Sequence, residues 1–224
     1  MKLSKRLTSA YNMVDKGSVI CDVGCDHGYL SIKLILDNMA DFAYMTDINE
    51  GPLNQALNNV KEFQILDKVS VILTDGLKNV EQKYDTVIIL GMGGLLIKNI
   101  LESTKIKDNV KLILGPNKDQ DILRDYLYQN GYISILDDFV LDNNKPYFIM
   151  KMVKGKNEEL NRAEKIFGKN NLTKENIDFE NYLANKISFF ENKSTLVKNE
   201  EAKKELLKEL DIYKEAYNEY CKCN

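Results

Sequence analysis

Ser18–Leu30 reads SVICDVGCDHGYL. An apolar run enters a turn rich in Gly and Asp and leaves with helical spacing. That is the order in which an open α/β sheet builds a nucleotide-shaped ligand site at the end of its first strand. The turn carries two carboxylates, Asp22 and Asp26, around Gly24, and neither Lys nor Arg. A phosphate-binding turn aims free backbone N–H groups at its ligand, and carboxylates there repel it. The expected ligand is neutral or cationic beside this turn.

S-adenosylmethionine meets that requirement, with a sulfonium, a free ammonium and no phosphate. Asp22 would face the ammonium, the alternative being a cap on nearby backbone N–H groups. Asp47, 25 residues on, is suited to accept from both ribose hydroxyls; the alternative is a helix cap before Pro52. Asp75-Gly76-Leu77 offers a carboxylate to the adenine amine and Leu77 to the ring, or is only an Asp-Gly turn. Gly91-Met92-Gly93-Gly94 calls for unusual backbone angles or a close approach to a ligand. No Asn/Asp-Pro-Pro-aromatic motif stands there, which favours a ring nitrogen over an exocyclic amine as methyl acceptor.

Short apolar runs alternate with helical periodicity to about Lys154. The spacing predicts strands at Ser18–Val23, Phe42–Asp47, Val69–Leu73, Thr86–Leu90, Val110–Leu114, Ser134–Leu141 and Tyr147–Val153. Helices are predicted at Tyr29–Asp37, Pro52–Phe63, Leu95–Ser103 and Asp121–Gln129, and a short amphipathic one around Leu3, Leu7, Ala10, Tyr11 and Val14. This alternation implies a mostly parallel sheet. Only Asp142-Asn143-Asn144 separates the last two strands, so they should form an antiparallel edge hairpin. The fold class is α/β, the Rossmann-like plan of class I methyltransferases; a dehydrogenase would continue with further βα units.

After Lys154, Gly and Pro nearly vanish and charges interleave with apolar residues. Ile177, Leu183, Ile187 and Phe190 mark one helix; Leu206, Leu210, Tyr213, Tyr217 and Tyr220 mark another, with a turn around Lys193–Thr195. The expected division is a cofactor-binding catalytic domain, 1–154, and a C-terminal coiled-coil-like helical hairpin, 155–224.

The 224 residues carry a net charge of −3, so the surface is not uniformly basic, and nucleic acid would need a local positive face. No apolar run approaches the ~20 residues of a membrane span. MKLSKRLTSAYNMV lacks a secretory h-region, and the four cysteines (Cys21, Cys25, Cys221, Cys223) form no disulfide pattern. A cytoplasmic monomer is expected. No Ser-His-Asp arrangement can be built without the one histidine, His27, so hydrolase chemistry is not expected, and no ligand spacing supports a metal. His27 reads equally as a catalytic group or a turn residue bonded to backbone. Lys5 and Arg6 read as a solvated helix face or as phosphate contacts. Tyr29 reads as a buried helix residue or a stacking partner for a base.

Several motifs together resemble the bacterial tRNA adenine-22 N1-methyltransferase family. They are LSKRL at Leu3–Leu7, DVGCDHGYL at Asp22–Leu30, Gly51-Pro52, DGL at Asp75–Leu77, GMGG at Gly91–Gly94 and Pro116-Asn117, covering roughly residues 3–150. The resemblance implies cofactor contacts from Asp22, Gly24, Cys25, Asp26, His27, Asp47, Asp75, Gly76 and Gly91, joined by the adjoining Ile48, Leu77 and Met92. It places Asp26 near the target adenine as the catalytic residue. Lys5, Arg6 and Asn117 fall on the RNA side, with Tyr29 as stacking candidate. Gly115 and Phe148 depart from the family pattern beside the acceptor pocket. The alternatives are methylation of a protein or small molecule, or a non-catalytic nucleotide-binding module.

Overall fold

The computed structural model describes residues 1–80, 83–156 and 159–223. After helix α1 (Lys5–Met13), strand β1 (Ser18–Val23) leads into α2 (Tyr29–Leu36), β2 (Ala40–Asp47), α3 (Glu50–Glu62) and β3 (Val69–Leu73). The chain then crosses to β4 (Thr86–Leu90), α4 (Gly94–Glu102), β5 (Lys111–Gly115), α5 (Gln120–Gln129), β6 (Tyr132–Asp142) and β7 (Lys145–Lys154). These strands make a seven-stranded sheet ordered β3-β2-β1-β4-β5-β7-β6. β7 alone runs against its neighbours, β5 and β6.

β1, β4 and β5 are apolar on both faces because both faces are covered. Ile20, Ile88 and Ile113 pack under α1, α2 and α3, while the alternate residues Cys21, Val87, Ile89, Leu112 and Leu114 pack under α4 and α5. The hairpin turn, Asn143-Asn144, has φ of 50° and 60°, the left-handed pair that the twist of a two-residue hairpin requires. The hairpin lies at the sheet edge as its sequence indicates, and its second strand is the one placed inside, between β5 and β6.

α1 lies across the β5–β7–β6 side and is pinned at several points. Asp15 just beyond its end pairs with Lys111 and Lys151, both at 2.6 Å, and these ammoniums hold its carboxyl below the usual range. The Ser9 hydroxyl donates to Asp138 at 2.6 Å and the Arg6 backbone N–H to Asp142 at 3.2 Å.

Beyond β7 come α6 (Arg162–Phe167), α7 (Lys169–Thr173), α8 (Ile177–Leu196) and α9 (Glu200–Cys223). α6 and α7 are not anticipated by the sequence reading, because six and five residues are too short to show periodicity. The turn between the long helices lies at 197–199, later than Lys193–Thr195. The Ser194 and Thr195 hydroxyls bond back to the carbonyls of Glu191 and Asn192 and so stay in α8, while Asn199 caps Ala202 N–H at 2.9 Å.

These helices close over the hairpin rather than standing apart. Phe139 and Phe148 share one core with Phe167, Leu172, Phe179, Leu183, Ile212 and Tyr220. Beside it a buried ion pair joins α5 to β6: Arg124 Nη1 lies 2.7 Å from Asp137 Oδ1, with side chains 1% and 0% exposed. Arg124 Nε also donates to the Lys165 carbonyl, and Asp137 accepts from Asn170 N–H, so the pair reaches into α6 and α7. Replacing Arg124 with Met should cost about 3–5 kcal/mol by urea denaturation, because Asp137 is left buried and unpaired. The double change Arg124→Met/Asp137→Leu should recover at least half of it; equal losses in both variants would refute the coupling.

Candidate functional site

The carboxyl ends of β1 and β4 are adjacent, and the helices that follow them leave to opposite faces of the sheet. Such a divergence opens a crevice where α/β folds bind ligands. Here it is a cleft of about 470 Å³, lined among others by Gly24, Asp26, Asp47, Asp75, Gly91 and Arg6. A smaller recess of about 70 Å³ adjoins it and shares Arg6, Gly24, Asp26 and Leu90. A wider hollow of about 730 Å³ lies between α4 and α5, but its cations are already engaged: Lys98 with Glu102 at 3.6 Å, Lys154 with the Asn130 carbonyl at 2.6 Å. Volume alone does not make a site, and the polar groups converge on the cleft.

Asp22, the last but one residue of β1, borders the recess and is 5% exposed. Its carboxylate accepts from the Ser31 hydroxyl at 2.7 Å, a partner the sequence reading did not identify. Burial pushes its pKa up to about 6; the Ser31 hydrogen bond lowers it, and the Asp47 charge raises it further. The main chain then turns over β2, where the Gly24 and Cys25 N–H groups both donate to the Thr46 carbonyl. Cys25 is buried at the recess and its thiol is pushed up, chiefly by burial.

Asp26 follows at φ 54°, in the left-handed region that Asp tolerates better than most residues. Its carboxylate is open to solvent where cleft and recess meet, 3.6 Å from His27 Nε2. His27 lines the recess only; its carbonyl is held by the Asn59 side chain at 2.9 Å, and Nδ1 is buried without a hydrogen-bond partner. Tyr29 is not buried in its helix: it is 44% exposed and borders the recess, its ring centroid 5.8 Å from that of His27.

Asp47 ends β2 and is buried. One oxygen accepts from Asn49 N–H at 2.8 Å, the other from Asp26 N–H at 3.4 Å, which ties the β1 and β2 loops together. Ile48 is exposed beside it at the cleft. Asp75 is an exposed cleft residue paired with Lys78 at 2.6 Å, and the carbonyl of its neighbour Gly76 accepts from the Thr46 hydroxyl. Leu77 corrects an expectation: it is buried in the core beneath α4 and lines no cavity. The apolar wall comes instead from Ile48, which the sequence indicated, and from Leu96 and Ile100, which it did not, because α4 residues looked like plain packing.

At β4, Gly91 has φ +77°, and a side chain on it would crowd Arg6 Nη1, 2.9 Å from the position of a Cβ. Met92 packs over Gly24. Gly94 approaches no ligand; a Cβ there would overlap the Asp119 carbonyl, so it is small to let α4 start against the β5–α5 loop. Asn117 in that loop donates its side-chain amide to the Gly91 carbonyl at 2.6 Å and its N–H to the Met92 carbonyl at 2.8 Å. It clamps the β4 turn from outside the cleft. Lys5 lies on the exposed face of α1 and lines neither cavity. Phe148 belongs to the core under the C-terminal helices, away from the cleft.

Four carboxylates and one guanidinium thus line the cleft and its recess, a set that repels a pyrophosphate and suits a ligand bearing hydroxyls and cationic groups. Among the described residues no group of three or more His, Cys, Asp or Glu is placed to hold a metal, and no helix is long and apolar enough to cross a membrane.

Known proteins agree with this geometry. The family described as "Methyltransferase domain" matches residues 3–150. The tRNA (adenine(22)-N(1))-methyltransferase of Bacillus subtilis is 35% identical over 147 residues, which span 64% of this chain and 61% of that protein, under two thirds of its length. A Streptococcus pneumoniae structure titled a putative tRNA (m1A22) methyltransferase superposes with a TM-score of 0.89 at 29% identity, covering 96% of this chain and 100% of that one. M. capricolum TrmK, solved in complex with S-adenosyl-homocysteine, gives 0.87 at 27% identity over 98% and 100%. The chain belongs to the methyltransferase-domain family.

Proposed function

We propose that this chain binds S-adenosylmethionine in the 470 Å³ cleft and methylates N1 of adenine 22 in tRNA, acting as a monomer in the cytoplasm. The observation that carries the reading is the acidic cleft at the β1/β4 divergence, which fits this cofactor's ammonium, ribose and adenine and rejects phosphate-bearing ones. Residues 1–154 are read as the catalytic unit and 155–224 as a helical appendage packed on it.

When bound, S-adenosylmethionine supplies an electrophilic methyl group on a cationic sulfur. Asp22, ionised at neutral pH, faces the ammonium, with Gly24, Cys25, His27, Gly91 and Met92 shaping that end of the cleft. Asp47 keeps lone pairs free beyond its two backbone bonds for the ribose hydroxyls. Asp75 and Gly76 meet the cofactor adenine along Ile48, Leu96 and Ile100. The target N1 carries an in-plane lone pair and needs no base, so the chain's task is alignment and charge stabilisation. Asp26, exposed where the cavities meet, accepts from the target's exocyclic amine and stabilises the cation that develops on the ring. N1 lies on the pairing edge, so the base leaves its stack at a cost of a few kcal/mol, and Tyr29 offers a ring to receive it. Lys5 and Asn117 stand on the RNA side.

Transfer of tritiated methyl into unmodified tRNA should place the label in N1-methyladenosine; cofactor binding without transfer to any RNA would refute the reading. Asp26→Ala should lower kcat about 100-fold or more while leaving cofactor Kd within a few-fold. A large loss of cofactor affinity would instead make Asp26 a binding residue.

Asp22 sets a pH dependence. With a folded pKa of about 6, cofactor affinity should rise from pH 5 to pH 7 and level off above it, and Asp22→Asn should flatten the profile and weaken binding. Stability moves the other way. The folded value lies above the unfolded 3.8, so stability is lost as pH rises from about 4 through 6. Asp22→Asn, which keeps an acceptor for Ser31, should therefore stabilise the free protein at pH 8 by on the order of 2–3 kcal/mol and leave it unchanged near pH 3. Thermal melts at the two pH values check this.

A further inference from the structure

Asn59 is a polar residue on the buried face of α3, and we infer that it positions Asp26 for the methyl transfer, an inference that rests on the role proposed for Asp26. α3 packs Leu53, Ala56 and Val60 into the core. An apolar residue would serve that face at position 59 too, and Asn is a poorer helix former than Leu or Ala. Asn59 is nevertheless 7% exposed, and both ends of its amide are engaged. Oδ1 accepts from Gln55 Nε2, one turn earlier, at 3.1 Å. That leaves Nδ2 to donate to the His27 carbonyl at 2.9 Å.

Asp26 needs such a hold. Its side chain is 70% exposed and its carboxylate accepts no hydrogen bond among the described residues, the His27 imidazole standing 3.6 Å away. The direction of the carboxylate is therefore set by the main chain. That main chain is irregular: Gly24, Asp26 and Gly28 have φ of 71°, 54° and 73°. Such a run persists only where its surroundings hold it. The first half of the loop is held by β2, where the Gly24 and Cys25 N–H groups donate to the Thr46 carbonyl at 2.8 and 3.0 Å. The Asp26 N–H reaches Asp47 only at 3.4 Å. On the far side of Asp26, the Asn59 amide supplies the one side-chain bond from outside the loop among the described residues. α3 also closes on Gly28, where a Cβ would lie 3.4 Å from that of Ala56.

The two halves of the loop serve different partners. Asp22 to Cys25, tied to β2, face the proposed cofactor, and Asp26, tied through His27 to α3, faces the acceptor base. Loss of the Asn59 bond lets Asp26 turn without unmaking the cofactor's part of the loop. A displacement of about 1 Å at a positioned group is enough to cost on the order of 100-fold in rate.

Single-turnover transfer of tritiated methyl to tRNA, with cofactor affinity measured by calorimetry on the same proteins, tests the assignment. Asn59→Leu, which removes the donor and keeps the bulk, should slow transfer about 10- to 100-fold and leave cofactor Kd within about 3-fold. In the Asp26→Ala background the same change should cost almost nothing more, because the group it positions is gone. Asn59→Ala should give the same pattern, and it answers the case in which leucine is not accommodated. A loss of cofactor affinity equal to the loss of rate overturns the inference and makes Asn59 a general support of the cleft. An Asn59 effect of the same size with and without Asp26 overturns it too, as does a wild-type rate in either variant. A wild-type rate in Asp26→Ala alone instead removes the role of Asp26 on which the inference rests, and overturns both.

Discussion

The divergence of the chain at the ends of β1 and β4 is the constraint on which the rest of the molecule depends. β1 is the first strand made and lies between β2 and β4, and α2 and α4 must leave its end and that of β4 on opposite faces to cover both sides of an apolar sheet. Helices that leave to opposite faces do not pack against each other at that point, so a crevice accompanies burial of the sheet. Its walls are then set by what each loop needs locally. The β1 turn needs acceptors for Gly24 and Cys25 N–H and finds the Thr46 carbonyl; the β2 turn uses Asp47 to hold Asn49 and Asp26. The groups that fix the loops are the groups that line the cleft and its recess.

Asp22 shows what this arrangement costs. A carboxylate at the end of a central parallel strand is removed from water, and one serine hydroxyl does not replace its hydration. Its pKa of about 6 is the measure of that deficit. An apolar residue would make a more stable strand end and would place no carboxylate beside the cleft. The free protein therefore holds strain of an electrostatic kind that a cationic ligand relieves, and binding and stability respond to pH in opposite senses through the same proton.

The sheet was legible in the sequence because parallel strands buried on both faces give short continuous apolar runs, and Ser18–Val23, Val69–Leu73 and Thr86–Leu90 match to the residue. The cleft acids were legible because carboxylates at strand ends have no packing reason to be there. Leu77 was not, since a leucine after an Asp-Gly turn suits a ligand pocket or a core equally, and only the direction of α4 decides. Ser31, Leu96 and Ile100 gave no signal for the same reason: on a helix, one residue facing a ligand does not disturb the period of those facing the core. α6 and α7 are ordered by Arg124, Asp137 and the aromatic cluster rather than by their own sequence, and long-range order of that kind leaves no local trace.

The hairpin explains why the appendage and the cleft belong to one structure. Successive residues of a strand face opposite sides. In β7, Tyr147 lies on the α1 side and holds Arg6, while Phe148 faces the C-terminal helices among Phe139, Phe167 and Phe179. In β6, Val140 packs on the α1 side and Phe139 on the other. The helices after Lys154 thus rest on the reverse of the surface that positions the guanidinium. A force on α8 or α9 from a large bound substrate would reach the mouth of the cleft through a single strand's thickness. Phe148 thus lies on the reverse of the strand from the Tyr147 ring that meets Arg6.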